Sequence, residues 1–182
     1  MNIQQMIEKA VTGKPPRVIA NYCGLYYSPY YYLMHLIAQR QAEMCVELGV
    51  ETGRGLVALA SAGMDVRVVG IEERGRPELG IVTARFPNVE IHIQSSTPAF
   101  DLGQPIDLLH IDTEHSYTRA RDEFRAWEPY LAPGAVVLFD DLNAMEGDVA
   151  RFFDELPHEK YRNDDLHPTC GYGVVVYDPE RA

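Results

Sequence analysis

Short apolar runs recur along the chain, and the gaps between them are long enough to hold one helix each. Residues 44–49, 66–72, 89–93, 108–111 and 135–139 read as buried strands. Helical patterns over about 55–62, after Glu72 with breakers, and over 116–131 fill the intervals. The last of these is stopped by Ala132-Pro133-Gly134, a strong punctuation signal. A further helix over about 148–153 leads to a tail of different character. There a strand at 173–177 follows a short one near Lys160-Tyr161 without a crossover helix, so the two should be antiparallel. At the start, residues 1–11 read as an amphipathic helix broken at Gly13-Lys14-Pro15-Pro16. Ser28 and Pro29 then supply an N-cap and a first-turn proline for a helix over 30–41. The pattern predicts an α/β three-layer sandwich around a mostly parallel seven-stranded sheet with an antiparallel edge strand. It forms one domain over 1–182, with a helical segment at 1–42 and the core at 43–182.

Composition narrows the function classes. A chain of 182 residues suits one domain with a sizeable core. Its net charge of −11 argues against binding along a nucleic-acid backbone, which needs a basic footprint. No apolar run approaches the length of a membrane span. Residues 1–9 lack the charged-then-apolar layout of a secretory signal. Cys23, Cys45 and Cys170 are widely spaced, odd in number and form no C-x-x-C pair, so reduced thiols and a cytoplasmic location are expected.

The chemistry sits where strands end. Asp112 closes the fourth run and Asp140-Asp141 the fifth. Carboxyl ends of neighbouring parallel strands share one edge, so these acids should converge although 28 residues separate Asp112 from Asp140. Converging carboxylates repel one another, and a hard divalent cation such as Mg2+ would hold them ionised together. Taken singly, Asp112 also suits the N-cap of the next helix, and Asp140-Asp141 a water-facing pair. After the first strand, Gly49, Gly53 and Gly55 form a loop of the kind that brings backbone close to a ligand, and Glu72 ends the second strand where it can accept from ribose hydroxyls. The loop reads G-x-x-x-G-x-G rather than the G-x-G-x-x-G of dinucleotide binders, and Glu47 before it suits a positively charged ligand. A tight turn with a solvated Glu47 is the plainer alternative.

Glu47-x-Gly49-x-x-x-Gly53, Glu72, the stretch from Ile106 to Asp112 continuing to His115-Ser116-Tyr117, Leu131-Ala132-Pro133-Gly134 and Asp140-Asp141 together resemble the Rossmann-like S-adenosylmethionine-dependent methyltransferases. Within them the chain is similar to the metal-dependent O-methyltransferases of the cephalosporin-hydroxylase-like and macrolide-sugar type, from about Tyr30 to the C-terminus. The resemblance implies a metal on Asp112, Asp140 and Asp141, and His115 as general base. It implies S-adenosylmethionine contacts from Glu47, Gly49, Gly53, Glu72, Ser95, Ser96 and Asp112. The acceptor would be a small-molecule hydroxyl: a sugar, polyketide, phenol or small metabolite. Gln94-Ser95-Ser96 departs from the usual Gly-Asp-Ser after the third strand, which leaves the adenine contacts open. No large insertion is present to serve as a lid, so the lid should be small or come from a partner subunit in a homo-oligomer.

Two rival readings remain at this level: a metal-independent methyltransferase with structural acids, and a nucleoside-binding module without catalysis. An NAD-dependent oxidoreductase is disfavoured by the loop spacing and the lack of a Tyr-x-x-x-Lys pair. His110 reads as a hydrogen-bonded core residue, His35 as packing or surface, and Trp127 with Phe124 as core. The tyrosines at 22, 26, 27, 30, 31 and 32 read as a wall over the acceptor or a dimer contact rather than as pure core.

Overall fold

The computed structural model describes residues 1–24 and 28–181, and all that follows concerns those residues. One sheet has the order β3-β2-β1-β4-β5-β7-β6. Its strands are β1 (Met44–Leu48), β2 (Arg67–Glu72), β3 (Val89–Ile93), β4 (Ile106–Ile111), β5 (Leu131–Asp140), β6 (Glu159–Arg162) and β7 (Tyr172–Val176). The first five are parallel to their neighbours, and β7 pairs antiparallel with both β5 and β6. The expected antiparallel strand is therefore β7, one place in from the edge, while β6 outside it runs with β5.

Helices cover both faces, which is why β1 and β4 are apolar almost throughout. α1 (Ile3–Thr12), α2 (Arg17–Cys23), α3 (Pro29–Gln41), α4 (Arg54–Ala60) and α5 (Pro77–Arg85) share one core with Cys45, Leu108, Leu138 and Val174. α6 (Tyr117–Trp127) and α7 (Asp148–Glu155) share the other with Val46, Leu109, Phe139 and Val175. Alternation along a strand then assigns the polar residues as well. Glu47, His110, Asp140 and Tyr172 each stand two positions from one of the first-core residues. They consequently line up under α3 and α4, near the carboxyl ends of the parallel strands.

The helix expected over 116–131 ends at Trp127, and a 3-10 turn follows over Glu128–Tyr130. Pro129 explains the stop: it offers no N–H to the carbonyl four residues back, and its ring crowds that carbonyl. Leu131 already pairs with Ile106, so Ala132-Pro133-Gly134 forms an irregularity within β5 rather than a break before it. α2 has no counterpart in the sequence reading. With only Ile19 and Cys23 buried, its periodic signal rests on two positions.

The tyrosines require a correction. Tyr30, Tyr31 and Tyr32 are buried core residues, and Tyr30 stacks on Tyr172 with ring centroids 4.8 Å apart. Tyr22 is partly exposed and donates to the Thr52 carbonyl at 3.4 Å. Tyr26 and Tyr27 lie outside the described residues. His35 is buried and bonded to Ser61 Oγ at 3.1 Å.

Phe124 is fully buried between Phe139 and Phe152. Phe124→Ala should destabilise the domain by about 3–5 kcal/mol, read as a lower urea midpoint at unchanged slope.

Candidate functional site

The strand order reverses on either side of β1, and a crevice opens at the carboxyl ends of β1, β2 and β4. The loop leaving β1 turns through Gly49 and Gly53, with φ of 81° and 84°. A Cβ at Gly49 would overlap the Asp112 carbonyl oxygen, so only glycine lets the loop lie against the end of β4. Two backbone bonds stitch this junction: Gly49 N–H to the Ile71 carbonyl at 3.0 Å and Asp112 N–H to the Leu48 carbonyl at 2.9 Å. Beside it lies a cleft of about 320 Å3, lined by Gly49, Glu72, Gln94, Ser96, Asp112 and Thr113 among others. The Glu72 carboxylate accepts the N–H groups of Glu51 and Arg74, both at 2.9 Å. These bonds orient it while each oxygen keeps a lone pair for a ligand.

Two residues expected at the cofactor lie elsewhere. Glu47 is not in the cleft wall but buried beneath α4, because its place in the β1 pleat turns it under Gly55. Its Oε1 accepts from His110 Nδ1 at 2.9 Å, as expected of a hydrogen-bonded core histidine. Burial raises the Glu47 pKa. Burial alone would lower that of His110, but the Glu47 carboxylate outweighs it and raises it. Ser95 is exposed, with its hydroxyl turned to Glu73 at 3.3 Å; Ser96 takes the inward position.

Next to the cleft, Asp112 meets Asp140 and Asp141. Ligand atoms of Asp112, His115 and Asp141 lie within 4.8 Å of one another, as do those of His110, Asp112 and Asp140. His115 Nε2 stands 2.7 Å from Asp141 Oδ2 and 3.8 Å from Asp112 Oδ1. The Asp112 and Asp141 carboxylates together push the His115 pKa up to about 10. Burial would raise Asp141, but His115 and Cys170 outweigh it and hold its pKa below the usual carboxylate range. Burial, opposed by His115 and aided by Asp140's charge, pushes the Asp112 pKa up to about 6; its His115 contact is the looser of the two, at 3.8 Å against 2.7 Å for Asp141. Its side chain keeps 28% exposure and opens onto the cleft.

The sequence reading missed a second source of side chains, the β6–β7 loop. His167 Nδ1 donates to Asp140 Oδ1 at 2.8 Å, and the Asp140 carboxylate raises the His167 pKa. Ligand atoms of Asp141, His167 and Cys170 form a third group within 4.8 Å of one another. Among the described residues, Asp141 Oδ1, His110 Nε2 and the Tyr172 hydroxyl are buried without a hydrogen-bond partner. The reading also missed Glu123. It is fully buried on α6, accepts from Ser96 Oγ and, at 2.6 Å, from Thr113 Oγ1, and lies 2.8 Å from Arg119 Nε. Trp127 Nε1 donates to the Ser96 carbonyl at 2.7 Å, so α6 holds both Ser96 and Thr113, two residues of the cleft lining. Glu123→Ala would strand these donors and should cost about 1–3 kcal/mol in chemical denaturation.

A sequence profile described as a methyltransferase domain matches residues 46–142. A curated relative, the uncharacterized protein y4gI of Sinorhizobium fredii, is 44% identical over 41 residues. That match covers 22% of this chain and 4% of that protein. Among solved structures, the O-methyltransferase TomG of Streptomyces achromogenes, in complex with SAM, superposes with a TM-score of 0.67 at 21% identity. The alignment covers 96% of this chain and 90% of that one. An O-methyltransferase from Bacillus cereus in complex with SAH gives 0.66 at 18% identity, covering 95% and 91%. CalS11, a TDP-rhamnose 3'-O-methyltransferase of calicheamicin biosynthesis, gives 0.64 at 15% identity, covering 96% and 92%.

Proposed function

The chain belongs to the methyltransferase-domain family, and from that premise we propose that it moves the methyl group of S-adenosylmethionine to a hydroxyl of a small molecule or sugar with the help of a divalent cation. The observation that carries this reading is the meeting of Asp112 with Asp140 and Asp141 beside a glycine-loop cleft that Asp112 itself lines. The solved relatives bound to SAM and SAH support the nucleoside ligand, and the relative acting on a TDP-sugar favours a small acceptor. A net charge of −11 speaks against a nucleic-acid acceptor. No helix among the described residues is long and apolar enough to cross a membrane, and all three cysteines are free. Both facts are consistent with a cytoplasmic enzyme.

The residues fit both groups. A nucleoside in the cleft would find the Glu72 carboxylate for ribose hydroxyls, Gly49 backbone at close approach, and Gln94, Ser96 and Thr113 toward the base. Glu47 would act from beneath by shaping the loop. A divalent cation would find oxygens on Asp112, Asp140 and Asp141, among them the buried, unpartnered Asp141 Oδ1. Such an ion supplies Lewis acidity to the acceptor hydroxyl, and S-adenosylmethionine supplies the sulfonium methyl. Asp112 belongs to both sets and fixes their spacing. His115, with its pKa near 10, is protonated among the free carboxylates near neutral pH. It can accept the hydroxyl proton only when another cation shares those carboxylates.

One observation favours a metal-independent reading: His115 and His167 already pair with Asp141 and Asp140, at 2.7 and 2.8 Å. Chelation separates the two. On whichever member of a hydroxylated acceptor panel turns over, exhaustive chelation should abolish S-adenosylhomocysteine formation, and a divalent salt should restore it. Full activity in chelator removes the ion from the reaction. His115→Asn should lower kcat by roughly 10²–10⁴ while S-adenosylhomocysteine binding, followed by calorimetry, stays unchanged. Glu72→Ala should weaken that binding roughly ten- to a hundredfold.

A further inference from the structure

We propose that the cation of this chain is a borderline-soft transition ion of the Zn2+ or Co2+ kind rather than Mg2+, because Asp141, His167 and Cys170 add an imidazole nitrogen and a thiolate to the oxygen donors. The inference rests on the reading that the acidic cluster holds a divalent ion at all. It goes further by naming two ligands on a loop that the strand-end pattern does not include.

Three observations carry it. One ligand atom each from Asp141, His167 and Cys170 lies within 4.8 Å of the others, a separation that a modest closing motion brings to the span of a single coordination sphere. The unpartnered oxygen, Asp141 Oδ1, is the one turned toward this group: it stands 4.0 Å from His167 Nδ1. Asp141 as a whole is only 8% exposed, so that oxygen faces protein rather than water, with the Cys170 thiol set against the same carboxylate. The loop is also held in position. Asn143 N–H donates to the Cys170 carbonyl at 2.6 Å, Leu142 N–H to the Gly171 carbonyl at 3.4 Å, and Tyr30 N–H to the Leu166 carbonyl at 3.2 Å. The donors thus come from segments already tied to the end of β5 and the start of α3.

Ligand chemistry decides the ion. Mg2+ takes hard oxygens in octahedral geometry and keeps several waters, gaining little from sulfur or imidazole. Zn2+ and Co2+ bind thiolate and imidazole strongly, at a distance of about 2.3 Å for sulfur and 2.0–2.1 Å for nitrogen with Zn2+. Binding displaces to solvent both the Cys170 proton and the Nδ1 proton that His167 shares with Asp140, which frees the imidazole lone pair and leaves the thiolate on the ion. No redox step is involved.

The probe is Co2+, added to the full chain after chelator treatment and followed by absorption spectroscopy and competition with Mg2+. The wild-type protein should show a thiolate-to-cobalt charge-transfer band in the near ultraviolet, and a large excess of Mg2+ should fail to remove it. Cys170→Ser should lose the band. Cys170→Ser and His167→Asn should each bind Co2+ roughly tenfold or more weakly, with circular dichroism and melting curves confirming that both variants fold. Cobalt binding with no charge-transfer band, and with unchanged affinity in both variants but not in Asp112→Asn, would overturn the soft site and leave an acidic one standing. Absence of any ion binding in the wild-type protein would overturn both.

Discussion

Acidic groups that crowd together away from water must share positive charge, and the arrangement of this site follows from that constraint. Three of the four carboxylates gathered at the ends of β1, β4 and β5 have a histidine of their own: Glu47 has His110 at 2.9 Å, Asp140 has His167 at 2.8 Å, and Asp141 has His115 at 2.7 Å. Asp112 is the exception. The nearest imidazole is 3.8 Å away and is committed to Asp141. It is also the acid whose pKa is pushed up to about 6 and the one that lines the cleft. The unbalanced charge therefore lies at the boundary between the glycine-loop cleft and the acidic cluster, where the proposed reading would bring methyl donor and acceptor together.

Sheet topology brings these pairs together. Parallel strands send Asp112 and Asp140 to the same edge, and the antiparallel β7 returns to that edge from the opposite direction. Because β7 starts where β5 ends, Tyr172 pairs with Asp140, and the loop before it carries His167 and Cys170 to the acids. An additional parallel strand in that position would have started at the far end of the sheet. The same pleat that buries Leu108 and Leu138 under α3 buries His110 and Asp140 beside them, and Tyr30 stacked on Tyr172 closes the apolar side. The polar row is thus part of the core, which is why its orphaned atoms matter.

What the sequence revealed and what it hid divide along this line. Strand ends are legible, because an apolar run that stops at an acid states both the element and its carboxyl edge. The convergence of Asp112 with Asp140 and Asp141 is legible in that way. Glu72 is legible for the same reason, and the glycine loop from the spacing of Gly49, Gly53 and Gly55 after the first strand. Residues whose position depends on tertiary return are not. His167 and Cys170 lie in a polar loop with no periodic signal, and only the pairing of β7 with β5 turns them inward. Glu123 stands in a helix dense with charge, where it reads as another solvated side chain until Ser96, Thr113 and Arg119 are seen around it. The tyrosines misled for a related reason: tyrosine suits interfaces in general, and a ring partner at position 172 decides its fate here.

Asp112 then has two mechanical roles as well as an electrical one. Its N–H is held by Leu48, its carbonyl lies directly under Gly49, and its carboxylate reaches the acids of β5. Any ligand that shifts the glycine loop must shift the Asp112 backbone with it, because no Cβ intervenes to absorb the motion. In-line methyl transfer demands that the attacking oxygen and the methyl carbon approach within about 3–3.5 Å along one axis. On the proposed reading, a single residue shared by the two subsites would set that distance more tightly than two loops could independently. The close packing at Gly49 would then constrain reaction geometry as much as folding.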